Sequence, residues 1–302
     1  MGIATKNDRA LVENVFQGRT PVLPASAVFP IEAHWGAKSE SVARILKIWN
    51  IGADSVVFVD NDALELAEVK QAHPGIECLL FPEKNIAAVH DLLLRLRDLF
   101  GTKQLLEEDA IRLKSLRNGH AMRATTQTAS VAPEFLLESL EAELTVSFDN
   151  EGKDPRGLEL INKTNQFNLN GKLQTESSWR TYARDPGAFV MIVAYQDKFG
   201  PLGKIAVLAG HRGRKVRIDT WVMSCRAFSR RIEYRCLEEI FTRFDADEIE
   251  FDFAATPRNG PFRSFLAEIL GKNPETRCCL ARHVFLERGP KTHHRILEVV
   301  NG

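Results

Sequence analysis

Over the first hundred residues, apolar positions switch between two periods. Val56-Val57-Phe58-Val59 is an unbroken β-branched and aromatic run, the pattern of a strand covered on both faces, and it runs straight into Asp60-Asn61-Asp62. Ile76–Phe81 repeats the strand pattern. Between and around these runs the spacing is helical. Asn7 or Asp8 can cap a helix that reaches Gln17. Val42, Ile45, Leu46 and Trp49 share a face, with Ser39 as cap and Asn50-Ile51-Gly52 as stop. Glu65 to Ala72 is a short helix ended by Pro74-Gly75, and Ile86 to Phe100 is strongly amphipathic. The opening Met1–Thr5 reads as the end of a buried strand. This alternation predicts a parallel sheet with covering helices over 1–100, with Asp60 at the sheet mouth, where open α/β folds bind ligands.

Leu105 to Met122 reads as a charged helix, Ala124–Ser130 as a loop and Phe135–Leu140 as a further helix, so 101–137 is expected to be a helical linker. From 138 to 302 the texture changes. Leu144–Phe148, Phe189–Tyr195, Lys204–Ala209 and Val216–Val222 alternate as strands, separated by Gly and Arg clusters. Asp154-Pro155 starts a helix, and a second runs from Arg230 to Phe244. Strand Glu248–Phe253, helix Phe262–Leu270 and strand Cys279–Leu286 follow. The second part is therefore expected to be α+β with an antiparallel sheet.

Composition narrows the function classes. The 302 residues carry 40 Lys+Arg and 40 Asp+Glu, so the net charge is zero and gives no bulk attraction to nucleic acid or an anionic membrane. No apolar run approaches membrane-spanning length and the first residues are no signal peptide. The five cysteines include no CxxC pair. They read as reduced thiols of a cytoplasmic protein, not as a disulfide frame or zinc site.

Several residues carry candidate chemistry. Thr5 ends one strand, Lys38 opens a helix and Asp60 ends a later strand; converging, a hydroxyl and an ammonium hold phosphate while a carboxylate holds Mg²⁺. The plain alternative is three ordinary cap or surface residues. Cys225 precedes Arg226, Arg230 and Arg231 at a strand-to-helix turn. Arginines at a helix N-terminus suit an anion, such as the phosphate of a pantetheine arm, and would depress the thiol pKa. Against this stand a small buried strand-end Cys and a basic, solvated helix start. Lys163, Asn165, Gln166 and Asn168 can read hydroxyls or carbonyls of a small acyl group, or simply cap a helix. Asp219, in an apolar strand, needs a partner. His34, His211 and His293-His294 read as solvated or loop histidines.

Gly2-Ile3-Ala4-Thr5-Lys6-Asn7-Asp8, Trp35-Gly36-Ala37-Lys38 and Ile51–Asp60 resemble the haloacid dehalogenase (HAD) phosphatase superfamily, in particular its FkbH-like branch. Lys163–Leu169, Asp197-Lys198-Phe199-Gly200, Ile218-Asp219, Met223-Ser224-Cys225-Arg226 and Thr256-Pro257-Arg258-Asn259 are similar to signature runs of that branch. The resemblance implies a HAD Rossmann-like domain followed by a GNAT-like acyltransferase domain. It implies Thr5 as the phosphoryl-binding hydroxyl, Lys38 as the charge-balancing cation and Asp60, helped by Asp62, as the Mg²⁺ carboxylates. It also implies loading of a glyceryl unit from a phosphorylated three-carbon intermediate onto an acyl carrier protein in polyketide-type biosynthesis, with phosphopantetheine as acceptor. The family's Asp-x-Asp-x-Thr nucleophile motif does not occur in the chain. It is expected upstream of Met1 in fold order, which makes the HAD half incomplete. Two further readings stay open: a scaffold that docks a carrier protein without chemistry, and an N-acyltransferase using only the second half.

Overall fold

The chain divides into two units, Met1–His120 and Ala121–Gly302, in a computed structural model that describes residues 1–17, 23–101, 106–128 and 133–299. The division falls within the stretch expected to be a linker.

In the first unit, strand β1 (Ile3–Thr5) leads through helix α1 (Arg9–Gln17) to β2 (Ile31–Ala33), and helix α2 (Lys38–Trp49) leads to β3 (Val57–Asp60). Helix α3 (Ala63–Ala72), β4 (Glu77–Leu80) and α4 (Ile86–Phe100) complete it, ahead of the long helix α5 (Glu107–Thr128). β1 pairs with β2 and β3 with β4, both parallel, as the alternation predicts. They form two separate two-stranded sheets. The core is small: Val42, Val69 and Ile76 are buried, with Leu46, Val56 and Phe58 packed partly against them. Val57, Phe58 and Val59 are only half-buried, whereas Asp60 at their end is buried. The strand expected to be covered on both faces is thus less covered than its carboxylate. α2 begins at Lys38 with Ala37 as N-cap, so Ser39 lies inside the helix and caps nothing. α5 continues through the residues expected as a loop from Ala124; the last of that stretch, 129–130, lies outside the described residues.

The second unit contains helix α6 (Pro133–Glu138) and is organised on one large sheet. Its elements are β5 (Glu143–Phe148), α7 (Pro155–Lys163), β6 (Phe167–Asn168), α8 (Glu176–Ala183), β7 (Ala188–Asp197), β8 (Gly200–His211) and β9 (Lys215–Met223). They continue with α9 (Ile232–Arg243), β10 (Glu248–Phe251), α10 (Gly260–Leu270), β11 (Cys278–Ala281), α11 (Arg282–Arg288) and β12 (Arg295–Val299). The strand order is β11-β10-β9-β8-β7-β5-β12, with β6 paired to β9 off that path. The central hairpins are antiparallel, but β10 runs parallel to β9 and β12 parallel to β5, so the sheet is mixed. One face buries the main core around Phe167, Trp221, Phe251, Phe262 and Leu266. The other buries Trp179, Val190, Val207 and Val222 beneath α7 and α8. Asp154 caps α7 by accepting from Gly157 N–H at 2.9 Å, with Pro155 at its first position.

The expected strand Cys279–Leu286 stops at Ala281, and α11 takes over at Arg282. Short apolar runs such as His283-Val284-Phe285-Leu286 fit either period, and here Phe285 is buried while Leu286 faces outward. No helix among the described residues is long and apolar enough to cross a membrane. All five cysteines are free thiols.

Candidate functional site

The first unit gathers its polar groups where strands end. Lys38 Nζ lies 2.6 Å from Asp60 Oδ2, with the two side chains 14% and 7% exposed. Lys6, just past β1, donates to Glu65 Oε1 on α3 at 2.5 Å. This bond raises the Lys6 pKa above its ordinary value. Ser39 N–H donates to Glu68 Oε1 at 3.1 Å, and hydrogen bonding to Ser39 lowers the Glu68 pKa. His34 N–H donates to the carbonyl of Thr5 at 3.1 Å. The contacts of Lys6, Lys38 and Ser39 tie the ends of β1 and β3 to the starts of α2 and α3, and Lys38 meets Asp60 there, while Thr5 is engaged through its backbone carbonyl. Lys6, Glu65 and Glu68 belong to the same cluster. Lys6 was within reach of sequence reasoning, since it follows the residue placed at the strand end.

The residues fit Mg²⁺ poorly. Asp62 Oδ1 accepts from Leu64 N–H at 2.8 Å and serves as the N-cap of α3. Asp60 Oδ1 accepts from Asp62 N–H at 3.0 Å, and its Oδ2 faces the Lys38 ammonium. Asn61 donates to Glu83 Oε1 at 2.5 Å. An ammonium on one carboxylate and a capping role for the other leave no pair of free oxygens for a hard cation that demands octahedral geometry. No group of three His, Cys, Asp or Glu side chains suited to a metal occurs among the described residues. The expected pairing of Asp60 with Asp62 on a metal is replaced by an ion pair and a helix cap.

In the second unit, the two-residue strand β6 pairs with the end of β9. Its antiparallel register pairs Phe167 with Met223 and Asn168 with Val222. Beyond this pair Asn165-Gln166 lead into β6 and Ser224-Cys225 leave β9 at the same end, with Ser224 N–H donating to Ile205 O and Phe262 N–H to Gln166 O. Asn165 and Gln166 are half-buried, and no side-chain hydrogen bond of either is found among the described residues. Cys225 is half-buried and opens a single 3₁₀ turn, Cys225–Ala227. Helix α9 begins only at Ile232, so its N-terminus does not act on the thiol as expected.

The remaining predicted residues are used by the fold. Asn168 is buried; its amide donates to Thr164 O at 2.7 Å and accepts from Asn170 N–H at 3.1 Å and Gly171 N–H at 2.7 Å. Lys163 is exposed and pairs with Glu159 one turn back. The three arginines do not converge. Arg226 Nε reaches Ser224 Oγ at 3.4 Å. Arg230 turns inward to Asp197 Oδ2 at 3.5 Å and to the carbonyl of Arg226 at 2.9 Å. Arg231, in the left-handed region at φ 58°, donates to Glu134 and to the carbonyl of Lys291. Burial of Arg230 rather than solvation resolves the misfit of a basic helix start.

Asp219 finds three partners that its position alone did not name. Its carboxylate accepts from Tyr182 O–H at 2.9 Å and Arg217 Nε at 2.7 Å, and lies 2.8 Å from His211 Nδ1. Burial and the Asp219 charge push the Tyr182 pKa well above its ordinary value. His211 is therefore no isolated loop histidine. His34 is likewise held, with Ser41 Oγ 2.8 Å from its Nε2. His294 is partly buried against Tyr195 instead of solvated.

No family model matches the chain, and no curated protein matches it. Among solved structures, the chain is similar to the N-terminal part of the Bacteroides fragilis protein BF1531, described as containing a phosphatase domain and complexed with Mg. Identity is 29%, with a TM-score of 0.29 over 33% of this chain and 26% of the other, so the likeness spans about a quarter of that protein's chain. It is also similar to a mutant of the spermidine N-acetyltransferase SpeG from Vibrio cholerae, with 15% identity and a TM-score of 0.26 over 36% of this chain and 68% of the other. Both TM-scores are low, and the two-unit α/β architecture stands on its own strand order and register.

Proposed function

We propose that this chain takes part in moving a glyceryl or similar small polar acyl unit from a phosphorylated three-carbon donor to the phosphopantetheine thiol of an acyl carrier protein. The observation that supports the reading is the β6–β9 register, which pairs Phe167 with Met223, so that Asn165-Gln166 enter β6 at the end where Ser224-Cys225 leave β9. Amides at the same strand end as a thiol suit a short acyl group rich in hydroxyls. The Cys225 thiolate would attack the acyl carbon of an acyl phosphate, the carbon–oxygen bond to phosphate would break, and phosphate would leave. The carrier thiol would then attack the thioester and release Cys225. Taken by itself, the first unit offers the Thr5 hydroxyl and the Lys38 ammonium to a phosphate. No step is assigned to a phosphoaspartate, because the chain has no Asp-x-Asp-x-Thr motif.

Intact-mass spectrometry of the full chain after incubation with 1,3-bisphosphoglycerate tests this directly. The expected result is one added 3-phosphoglyceryl unit, mapped to Cys225, absent in Cys225→Ala and lost on adding carrier protein. A folded protein that gains no mass on Cys225 sinks the thioester step.

A second reading is a carrier-protein-binding scaffold without chemistry. The mutual engagement of Lys38 and Asp60 favours it, since each already has its counter-charge. Carrier-protein binding without any mass gain supports this reading. Heat of binding with acetyl-CoA would favour an N-acyltransferase instead.

A further inference from the structure

The pairing of β8 with β9 slips at one place. Ala209 lies opposite Thr220 and Gly210 opposite Ile218, so Asp219 is an extra residue without a partner across the ladder. A Cβ at Gly210 would run into the Arg217 carbonyl oxygen, so the slip is built around glycine. Such bulges re-aim side chains. Here the Asp219 carboxylate meets His211 at the end of β8, with Oδ2 2.8 Å from Nδ1. A carboxylate only accepts, so Nδ1 carries the proton and Nε2 keeps a lone pair. Tyr182 holds the arrangement from α8: its hydroxyl donates to the same oxygen at 2.9 Å, and its ring stacks on Trp179 and meets the imidazole edge-on.

Nε2 has no hydrogen bond among the described residues, and the His211 side chain is 34% exposed, so a ligand can reach it. The group it faces is Asp185, whose Oδ2 is 3.9 Å away, outside hydrogen-bond range. Asp185 is itself fixed, since its Oδ1 accepts from Gly187 N–H at 2.8 Å. Two acceptors thus stand side by side. Asp185 also lines an open depression of about 810 Å³ along α8, together with Arg180, Thr181 and Arg184. Arg180 pairs with Glu176, and Arg217 with Asp219. Arg184 and Arg212 make no ion pair among the described residues, and Arg212 Nε donates to Ala188 O in the turn that follows Asp185. The turn is therefore flanked by two guanidiniums without a counter-charge and holds one carboxylate.

We propose that His211 Nε2 and Asp185 Oδ2 bind the two hydroxyls of a small vicinal-diol acid whose carboxylate lies toward Arg184 and Arg212. Acceptors 3.9 Å apart call for two donors held close together, and hydroxyls on neighbouring carbons are such a pair. A single hydroxyl satisfies one acceptor and leaves the other. The surplus guanidinium favours a ligand with one negative charge. Because the depression is polar and open, the ligand is held weakly. The site shares no residue with the Cys225 turn, so its failure leaves the acyl-transfer reading where it stands.

The experiment uses the full chain with D-glycerate as probe and propionate, an acid of the same length without hydroxyls, as its control. Diethyl pyrocarbonate acylates imidazole nitrogens that carry a lone pair, and peptide mass spectrometry locates the product. His90, exposed on α4, is the internal reference. The expected result is that ~10 mM glycerate slows modification of His211 by about threefold and leaves His90 unchanged, whereas propionate protects neither. Asp185→Asn, at an exposed position, keeps an oxygen for Gly187 N–H but puts a donor in place of Oδ2, and should remove the protection. Asp219→Asn should remove it too: the amide donates to Nδ1, the proton moves to Nε2 and the acceptor is lost. Equal protection by glycerate and propionate would show an anion held by the arginines alone and overturn the diol site. No protection of His211 by glycerate, or full protection in Asp185→Asn, overturns it as well.

Discussion

Lys38 Nζ sits 2.6 Å from Asp60 Oδ2, and this contact fastens the first turn of α2 to the end of β3. With both side chains mostly buried, removing one leaves the other a charge that water reaches poorly. Lys38→Met and Asp60→Asn should each destabilise the first unit by about 1–3 kcal/mol. The double substitution should cost less than the sum, because neither charge is then stranded. Hydrogen exchange of the α2 and β3 amides checks this, and strictly additive losses would show that the contact contributes nothing.

Arg230 and Asp197 form a more deeply buried pair, with side chains 3% and 2% exposed. Asp197 also accepts from Tyr195 O–H and Phe199 N–H, both at 2.9 Å, and the Arg230 guanidinium lies over the Tyr195 ring. Arg230→Met should therefore cost about 3–5 kcal/mol through the uncompensated carboxylate. The midpoint of urea unfolding of the second unit measures it. Loss of anion binding with unchanged stability would instead restore Arg230 as a ligand residue.

Asn168→Ala should loosen the β6 insertion. Its amide holds Thr164 O, Asn170 N–H and Gly171 N–H, while its own carbonyl accepts from Asn259 Nδ2 at 3.0 Å. Leaving those buried backbone groups unpaired costs about 1–3 kcal/mol. Faster exchange at Leu169 N–H, which donates to Trp221 O, is the expected local signature. Because Asn165 and Gln166 lead directly into β6, the same substitution should slow the proposed acylation of Cys225.

What the sequence shows and what it hides follow from the range of the interactions. The parallel pairs, α4 and the β7–β8–β9 hairpins are legible because each rests on a local period and local stops. The meeting of Lys38 and Asp60 is legible, because a helix start and a strand end come together at a sheet mouth. Asp62 caps α3, a role that demands the same residue type as a metal ligand and so is not separable from it in the sequence. A strand of two residues has no period, so β6 is invisible and its polar run reads only as chemistry. Asp219, His211 and Tyr182 meet across two strands and a helix, and no spacing announces that.

His294 gives the second unit an acid limit. Burial, then the charge of Arg235, lowers its pKa to about 4 from the ordinary 6.5. Between these values the unfolded chain binds the proton and the folded one does not, so stability falls as pH drops below about 6.5 and the loss levels off near 4. His294→Gln should remove this limb, which amounts to a few kcal/mol at most. Urea midpoints between pH 4 and 7 decide it; an unchanged acid slope in the variant would assign the loss to other groups.

Glu233 sets the opposite limit. Burial raises its pKa to about 7 from 4.5, and its Oε2 is buried without a hydrogen-bond partner. Here the folded state holds the proton that the unfolded chain has released. Stability is full below about 4.5 and falls as pH rises through 7, the reverse of the His294 sign. Glu233→Gln keeps the shape and cannot ionise, so it should be more stable than wild type at pH 8 by on the order of 1–3 kcal/mol and equal to it near pH 4. A variant that tracks the wild-type curve at pH 8 would mean that Glu233 is ionised and solvated. The two variants together separate the limbs: His294→Gln flattens the curve on the acid side only, and Glu233→Gln on the alkaline side only.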